Sequence, residues 1–374
     1  MITRQRLVTY GIPAAAAATI VFAALLSRTH KTSLIDQQTP VASGGKHKID
    51  VVFAVDTTGS MGGLIDGAKR TVWSIANSIR NTDPNAELRI GLVAYRDIGD
   101  DYVTKDFALT SDLDAVFAEL SSYRAAGGGD TPEDVDAALD DTLHKMQWRD
   151  DAKKLVFLVG DAPPASRGDV PTFAVSAREA GEKQIVINTI RCGTDTDAMA
   201  SFQQIAMLGK GEFSSIQQDG GVQQVATPYD DKLAELSTKI DSTSVIAGDD
   251  GVRRNYEAKM AAATSAPAPA KADRAMYYKG GEGRSSDDVV TGYAHGTVSV
   301  DSLKDEDLPS DLRGMDKTRL KAEMDKRVSD RKEAQAELAK VAKDREEYLK
   351  NKAPEAAPGA FDATVKATIE KQLK

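Results

Sequence analysis

Apolar side chains in this chain fall into short runs and helical stripes separated by polar and glycine-rich turns. IDVVFAVD (49–56) is an apolar run, interrupted only by Asp50 and ending in an acid, the pattern of a strand buried on both faces of a parallel sheet. Met61, Leu64, Ile65, Ala68, Val72, Ile75, Ala76 and Ile79 then recur at helical spacing and predict an amphipathic helix. LRIGLVAYRD (88–97), LVFLVGD (155–161) and QIVINTIRCG (184–193) predict three more buried strands. VTKDFAL (103–109) alternates as an edge strand does, and EFSSI (212–216) predicts a short strand. Helices are expected near 132–146, after a glycine-rich loop, then through Phe202, Ile205, Ala206 and Leu208, and finally near 228–242. Strands alternating with helices in this way predict an α/β fold built on a doubly wound, mostly parallel sheet, spanning 48–247.

Past Gly248 the pattern weakens. Residues 248–285 contain the run APAPAKA and are expected to form a flexible or polyproline-like linker. Within 286–352, the stretch VVTGYAHGTVSV (289–300) alternates enough for a short hairpin. Residues 316–352 predict a long charged helix with a sparse stripe of Leu320, Met324, Val328, Leu338, Val341 and Leu349. A heptad frame through 324, 331, 338 and 345 reads Met, Arg, Leu, Arg, which is too polar for a strong coiled-coil seam. The expectation is a solvated helix packed along one side, with coiled-coil self-association through 316–352 left open. A Pro/Ala break at 353–358 opens the segment 353–374, an amphipathic tail carrying Phe361, Val365, Ile369 and Leu373.

The N-terminus adds a compartment. In residues 1–30, Arg4 and Arg6 precede an uncharged, largely apolar run from Leu7 to Leu26. That is the layout of a signal peptide or signal anchor, and about 20 residues suffice to span a bilayer core. No small-x-small triplet ends the run, which favours an uncleaved single-pass anchor. Residues 31–47 then read as a tether, holding the body outside the cytoplasm at a cell membrane, periplasmic or surface-exposed. A formal net charge of -9 over 374 residues, without a basic cluster, argues against nucleic-acid binding. The single cysteine, Cys192, excludes an intramolecular disulfide and a cysteine-rich zinc site.

Candidate chemistry sits where the predicted strands end. Asp56-Thr57-Thr58-Gly59-Ser60 follows the first strand, Gly128-Gly129-Asp130-Thr131-Pro132-Glu133 opens a helix, and Asp161-Ala162-Pro163-Pro164 follows a later strand. Ligands of open parallel sheets bind at that edge. Carboxylates and hydroxyls without His or Cys are hard oxygen donors, suited to Mg²⁺, Mn²⁺ or Ca²⁺ rather than zinc or copper. Taken singly, each of these segments is also an ordinary helix cap or turn.

The three motifs in this order resemble those of a von Willebrand factor type A domain with a metal-ion-dependent adhesion site, of the bacterial membrane-anchored kind, over about 49–245. In that family an Asp-x-Ser-x-Ser motif follows the first strand, a Thr or Asp stands in a second loop, and an Asp follows a later strand. Asp56, Thr58 and Ser60 match the first motif, with Thr58 in place of a Ser; Thr131 (or its neighbour Asp130) matches the second and Asp161 the third. The resemblance implies a divalent cation, Mg²⁺ first, whose open position accepts an acidic side chain from a protein partner. In some members ligand engagement also shifts the last helix, here the one near 228–242. No Walker loop, Gly-x-Ser-x-Gly motif or placed Cys/His pair is present, so no enzymatic activity is expected. His144 reads as a surface or capping residue and Cys192 as core. The competing readings are a scaffold whose metal only stabilises the fold, and a Mg²⁺-dependent hydrolase.

Overall fold

The structure is a computed structural model that describes residues 46–374 apart from 130–131, 166–167, 169, 280–286 and 353–358. The expected anchor and nearly all of the tether therefore lie outside the described residues. No helix among those described is long and apolar enough to cross a membrane.

Six strands form one sheet: β1 (His47–Asp56), β2 (Ala86–Tyr95), β3 (Thr104–Thr110), β4 (Lys153–Gly160), β5 (Ile185–Cys192) and β6 (Lys210–Ile216). Their order is β3-β2-β1-β4-β5-β6, and β3 alone runs antiparallel, as an edge strand. The apolar runs of β1, β2, β4 and β5 occupy its middle, where both faces are covered and alternation has no solvent side to report. Val51, Phe53 and Val55 face one core with helices α1 (Gly62–Thr82) and α2 (Leu113–Ser122). Val52 and Ala54 face the other, with α3 (Val135–His144), α4 (Phe173–Glu182) and α5 (Thr196–Leu208). Trp73 of α1 stacks on Phe117 of α2 with ring centroids 4.3 Å apart. Asp112, Asp134 and Asp195 cap α2, α3 and α5 by accepting backbone N–H bonds in the first turn. The α/β class and the mostly parallel sheet agree with the sequence reading. That reading left α2 and α4 unassigned. Leu113, Val116, Phe117 and Leu120 do stand at helical spacing, whereas α4 buries mainly Ser176, Ala177, Ala180 and Gly181 and has almost no apolar signature.

Beyond α6 (Asp230–Ser242) the structure departs from expectation. The segment expected to be a linker forms α7 (Asp250–Ser265) and α8 (Ala268–Tyr277). Alanine is the best helix former, and Pro267 and Pro269 stand at the start of α8, where no intrahelical N–H is needed. Ala263, Ala266, Ala270, Ala272 and Ala275 are buried there, so low side-chain volume signals close helix packing rather than flexibility. The expected hairpin is instead the short helix α9 (Val289–Ala294), capped by Asp288, with a 3-10 turn at Val300–Ser302. Val290 and Val300 meet in a small core with Leu308, Leu320 and Met324, and that packing overrides the local alternation.

The long helix α10 (Lys317–Lys352) packs its stripe on this same chain, against α6, α8 and α9. Its buried face carries Leu320, Met324, Ala334, Leu338 and Ala342, with Arg331 and Arg345 among them. Those arginines explain the polar heptad frame: each is an ion-pair member, so the stripe is no coiled-coil seam and is already used within the chain. Arg345 bonds Asp230 of α6 and Asp273 of α8, each at 2.8 Å. Arg274 of α8 bonds Asp114 of α2 at 2.6 Å and Asp241 of α6 at 2.7 Å. The tail forms α11 (Phe361–Leu373), which lies on α1 and buries Phe361, Val365 and Ile369 in the same core as β1.

At the amino end of β1, Asp50 is fully buried between Arg89 and Arg149, 2.6 and 2.7 Å away. Burial alone would raise its carboxyl, but the Arg89 and Arg149 guanidinium groups outweigh that and hold it below the usual value. Asp50→Asn should therefore cost about 3 kcal/mol at pH 7 by leaving buried guanidinium charge uncompensated. A carboxyl held low stabilises the fold above its unfolded pKa of about 3.9, so the difference from wild type should shrink as pH falls below that value. Urea unfolding of both proteins between pH 7 and pH 3 measures this. A second prediction concerns the tail: Phe361→Ala should cost roughly 3 kcal/mol as a core truncation. A cost below about 0.5 kcal/mol in urea unfolding would show that α11 is not part of the core.

Candidate metal centre

β1 and β4 are neighbours in the sheet but not in sequence, and the helices that follow them, α1 and α4, cover opposite faces. A crevice opens at such a switch point, beyond the carboxyl ends of the strands. Val55 pairs with Val159, so Asp56 and Asp161 leave adjacent strands side by side. Gly160 permits that approach: a Cβ there would collide with the Tyr95 hydroxyl, which donates to the Val159 carbonyl.

Asp56 is fully buried. Its Oδ1 accepts from the Thr58 backbone N–H at 2.8 Å and the Thr58 hydroxyl at 2.7 Å. The Thr58 Oγ1 lies 3.4 Å from Ser60 Oγ, so the three side chains expected to act together do converge. Asp56 Oδ2 is buried and accepts no hydrogen bond from the described residues. Burial, with a smaller contribution from the facing Asp161 carboxylate and against the Thr58 bonds, pushes the Asp56 carboxyl up to about 7. A buried carboxylate oxygen without a donor, opposite a second carboxylate, is a costly arrangement that a cation would relieve.

The expected second-loop residues, Thr131 and Asp130, lie outside the described residues, but the segments flanking them are firmly placed. Gly59 N–H donates to the Gly127 carbonyl at 3.3 Å and Ala126 N–H to the Thr57 carbonyl at 3.2 Å. Arg96 is buried beneath these loops, donating to the carbonyls of Thr57 at 3.2 Å and Arg124 at 2.7 Å. On the far side, Glu133 N–H donates to the Pro163 carbonyl at 3.0 Å, so the glycine-rich segment is tied to the Asp56 loop through Ala126 and Gly127 and to the Asp161 loop through Glu133.

A profile of the von Willebrand factor A domain matches residues 50–227. Residues 50–227 form a von Willebrand factor A domain. An ariadne-like RING finger protein of Acanthamoeba polyphaga mimivirus is 31% identical over 116 residues, covering 31% of this chain and 11% of its own length. Alpha-protein kinase vwkA of Dictyostelium discoideum is 29% identical over 119 residues, covering 31% of this chain and 18% of its own. This chain thus spans a minor part of both relatives. Among solved structures, the SpRpn10 VWA domain is 13% identical with a TM-score of 0.36, covering 46% of this chain and 88% of its own.

The VWA domain places one further residue at the centre that sequence reading missed. Gln218, just past β6, donates from Nε2 to Asp161 Oδ2 at 2.6 Å and to the Ser60 carbonyl at 3.3 Å. Its position after the last strand was the available signal, since that strand also ends at the ligand edge. Two further carboxylates border the centre: Glu133 is buried with its Oε1 beside Gly128, the glycine packed on Thr58, and Asp100 accepts from the Gly128 N–H at 3.2 Å. Cys192 is buried, and burial raises its thiol, as expected of a core residue. His144 bridges Asp140 and Glu179 on the surface, at 2.9 and 2.8 Å. No cluster of three or more His, Cys, Asp and Glu side chains suited to a metal occurs among the described residues. Among the described residues, the oxygen donors that converge here are the Asp56 and Asp161 carboxylates and the Thr58 and Ser60 hydroxyls.

Because Asp56 Oδ2 is unsatisfied, Asp56→Asn should not weaken protein kept in EDTA. The amide retains the Oδ1 acceptor for Thr58 while removing a buried negative charge, so stability should stay level or rise by about 1 kcal/mol. Urea unfolding in EDTA decides it, and a loss of more than 1 kcal/mol would mean that the carboxylate is satisfied without a cation.

Proposed function

We propose that this VWA domain is a divalent-cation-dependent protein-binding module, with Asp56, Thr58, Ser60 and Asp161 as ligands and Thr131, or Asp130, completing the set from the second loop. The observation that carries this reading is the buried, unsatisfied Asp56 Oδ2 opposite Asp161, beside two hydroxyls at the carboxyl edge of the sheet. Hard oxygen donors favour Mg²⁺, with Mn²⁺ or Ca²⁺ as substitutes. The two carboxylates and the neutral hydroxyls leave a divalent ion able to take a further oxygen, and an Asp or Glu from a protein partner supplies one. VWA domains in general mediate protein–protein interaction. The basic and apolar segment 1–30, read as a single-pass anchor, puts the module on the outer side of a cell membrane.

Thermal melting of the full chain, titrated with Mg²⁺, Mn²⁺ and Ca²⁺, tests the site. A cation binding only the folded state adds about 2.7 kcal/mol at a hundredfold excess over its dissociation constant. The Asp56→Ala/Asp161→Ala double variant should show no such gain. If wild type responds to none of the three ions, the loops are caps and turns. Partner capture then separates binding from scaffolding: the binding reading expects capture to be lost in EDTA, whereas a scaffold would keep its partner and lose only stability.

A further inference from the structure

A cavity of about 210 Å³ lies where α1, the segment after β6, α8, α10 and α11 meet, away from the carboxyl edge of the sheet. It is several times the roughly 30 Å³ that one water occupies in the liquid. Its charged lining is Arg70, Arg345, Lys366, Asp273 and Asp362. Three cations against two carboxylates is unusual in a chain whose net charge is -9.

The two carboxylates are already engaged. Asp273 accepts from Arg345 at 2.8 Å, and Asp362 accepts from Lys366 at 3.0 Å. Lys366 also donates to the Ser74 hydroxyl at 2.8 Å. Arg70 is different. Among the described residues its guanidinium has no hydrogen-bond acceptor and no ion-pair partner, and its Nε is sealed from solvent. An arginine head that is partly buried and unpaired costs free energy unless an acceptor fills the space before it.

We propose that this cavity binds a small phosphate-bearing solute, with Arg70 as the principal contact and Lys366 as the second cation. The guanidinium fork matches the oxygens of a phosphate in a bidentate way that an ammonium does not, and a second cation suits a dianion. The ligand would touch α1 of the VWA domain and α8, α10 and α11 of the extension together, so it would hold the two parts to each other. Nothing in this site depends on a cation at Asp56.

The test uses the full chain in EDTA, so that no divalent ion can carry the anion. Inorganic phosphate is titrated by calorimetry and thermal melting at constant ionic strength, with chloride and acetate as controls. The expected result is saturable binding with a rise in melting temperature that chloride and acetate do not reproduce. Arg70→Gln should weaken phosphate at least tenfold while its melting temperature in chloride matches wild type, since Arg70 holds no other group among the described residues. Arg70→Lys should fall between them. Absence of a saturable phosphate response, an equal response to acetate, or an unchanged affinity in Arg70→Gln would each overturn the proposal.

Discussion

The pairing of β1 with β4 is the constraint on which the candidate centre depends. It brings together two strands separated by about a hundred residues and ends both of them in an aspartate at one edge. Close approach at Gly160, the buried Tyr95 hydroxyl and the Arg96 clamp on the loops then leave the two carboxylates little freedom to move apart. A fold that buries one carboxylate beside a second must satisfy it in some other way, and among the described residues the Thr58 bonds satisfy only one oxygen of Asp56.

The extension is bound to the domain by a different interaction. Arg274 and Arg345 reach out of α8 and α10 to acids on α2, α6 and α8, and both are nearly sealed from solvent. Buried ion pairs of this kind add little net stability over apolar packing, but breaking one is costly, so they select a single arrangement of helices. They hold α6 at both ends, through Asp230 and Asp241. Sliding of α6 would have to break both pairs. Gly220 and Phe361 link the same extension to the site's neighbourhood: the Phe361 N–H donates to the Gly220 carbonyl, two residues from Gln218.

Much of the domain was legible in the order of residues. Apolar runs ending in Asp56 and Asp161 declared central parallel strands, because only a strand covered on both faces loses its alternation. Asp56, Thr58 and Ser60 were read as members of one motif, and Thr58 and Ser60 do approach each other. The extension was not legible in the same way. Its alanines and prolines look like a linker when volume is counted, and its arginines look like solvated charge when pairing partners are unknown.

Composition and periodicity, taken alone, determined the α/β class and the strand sequence, because these follow from local spacing. Tertiary structure alone decided that Asp56 Oδ2 is buried without a donor among the described residues, that Asp56 lies beside Asp161 with Gln218 bonded to the latter, and that α8, α10 and α11 pack where they do. Each of those rests on contacts between residues far apart in the chain. Whether a polar atom is satisfied, or an arginine paired, depends on what the rest of the fold brings within reach of it.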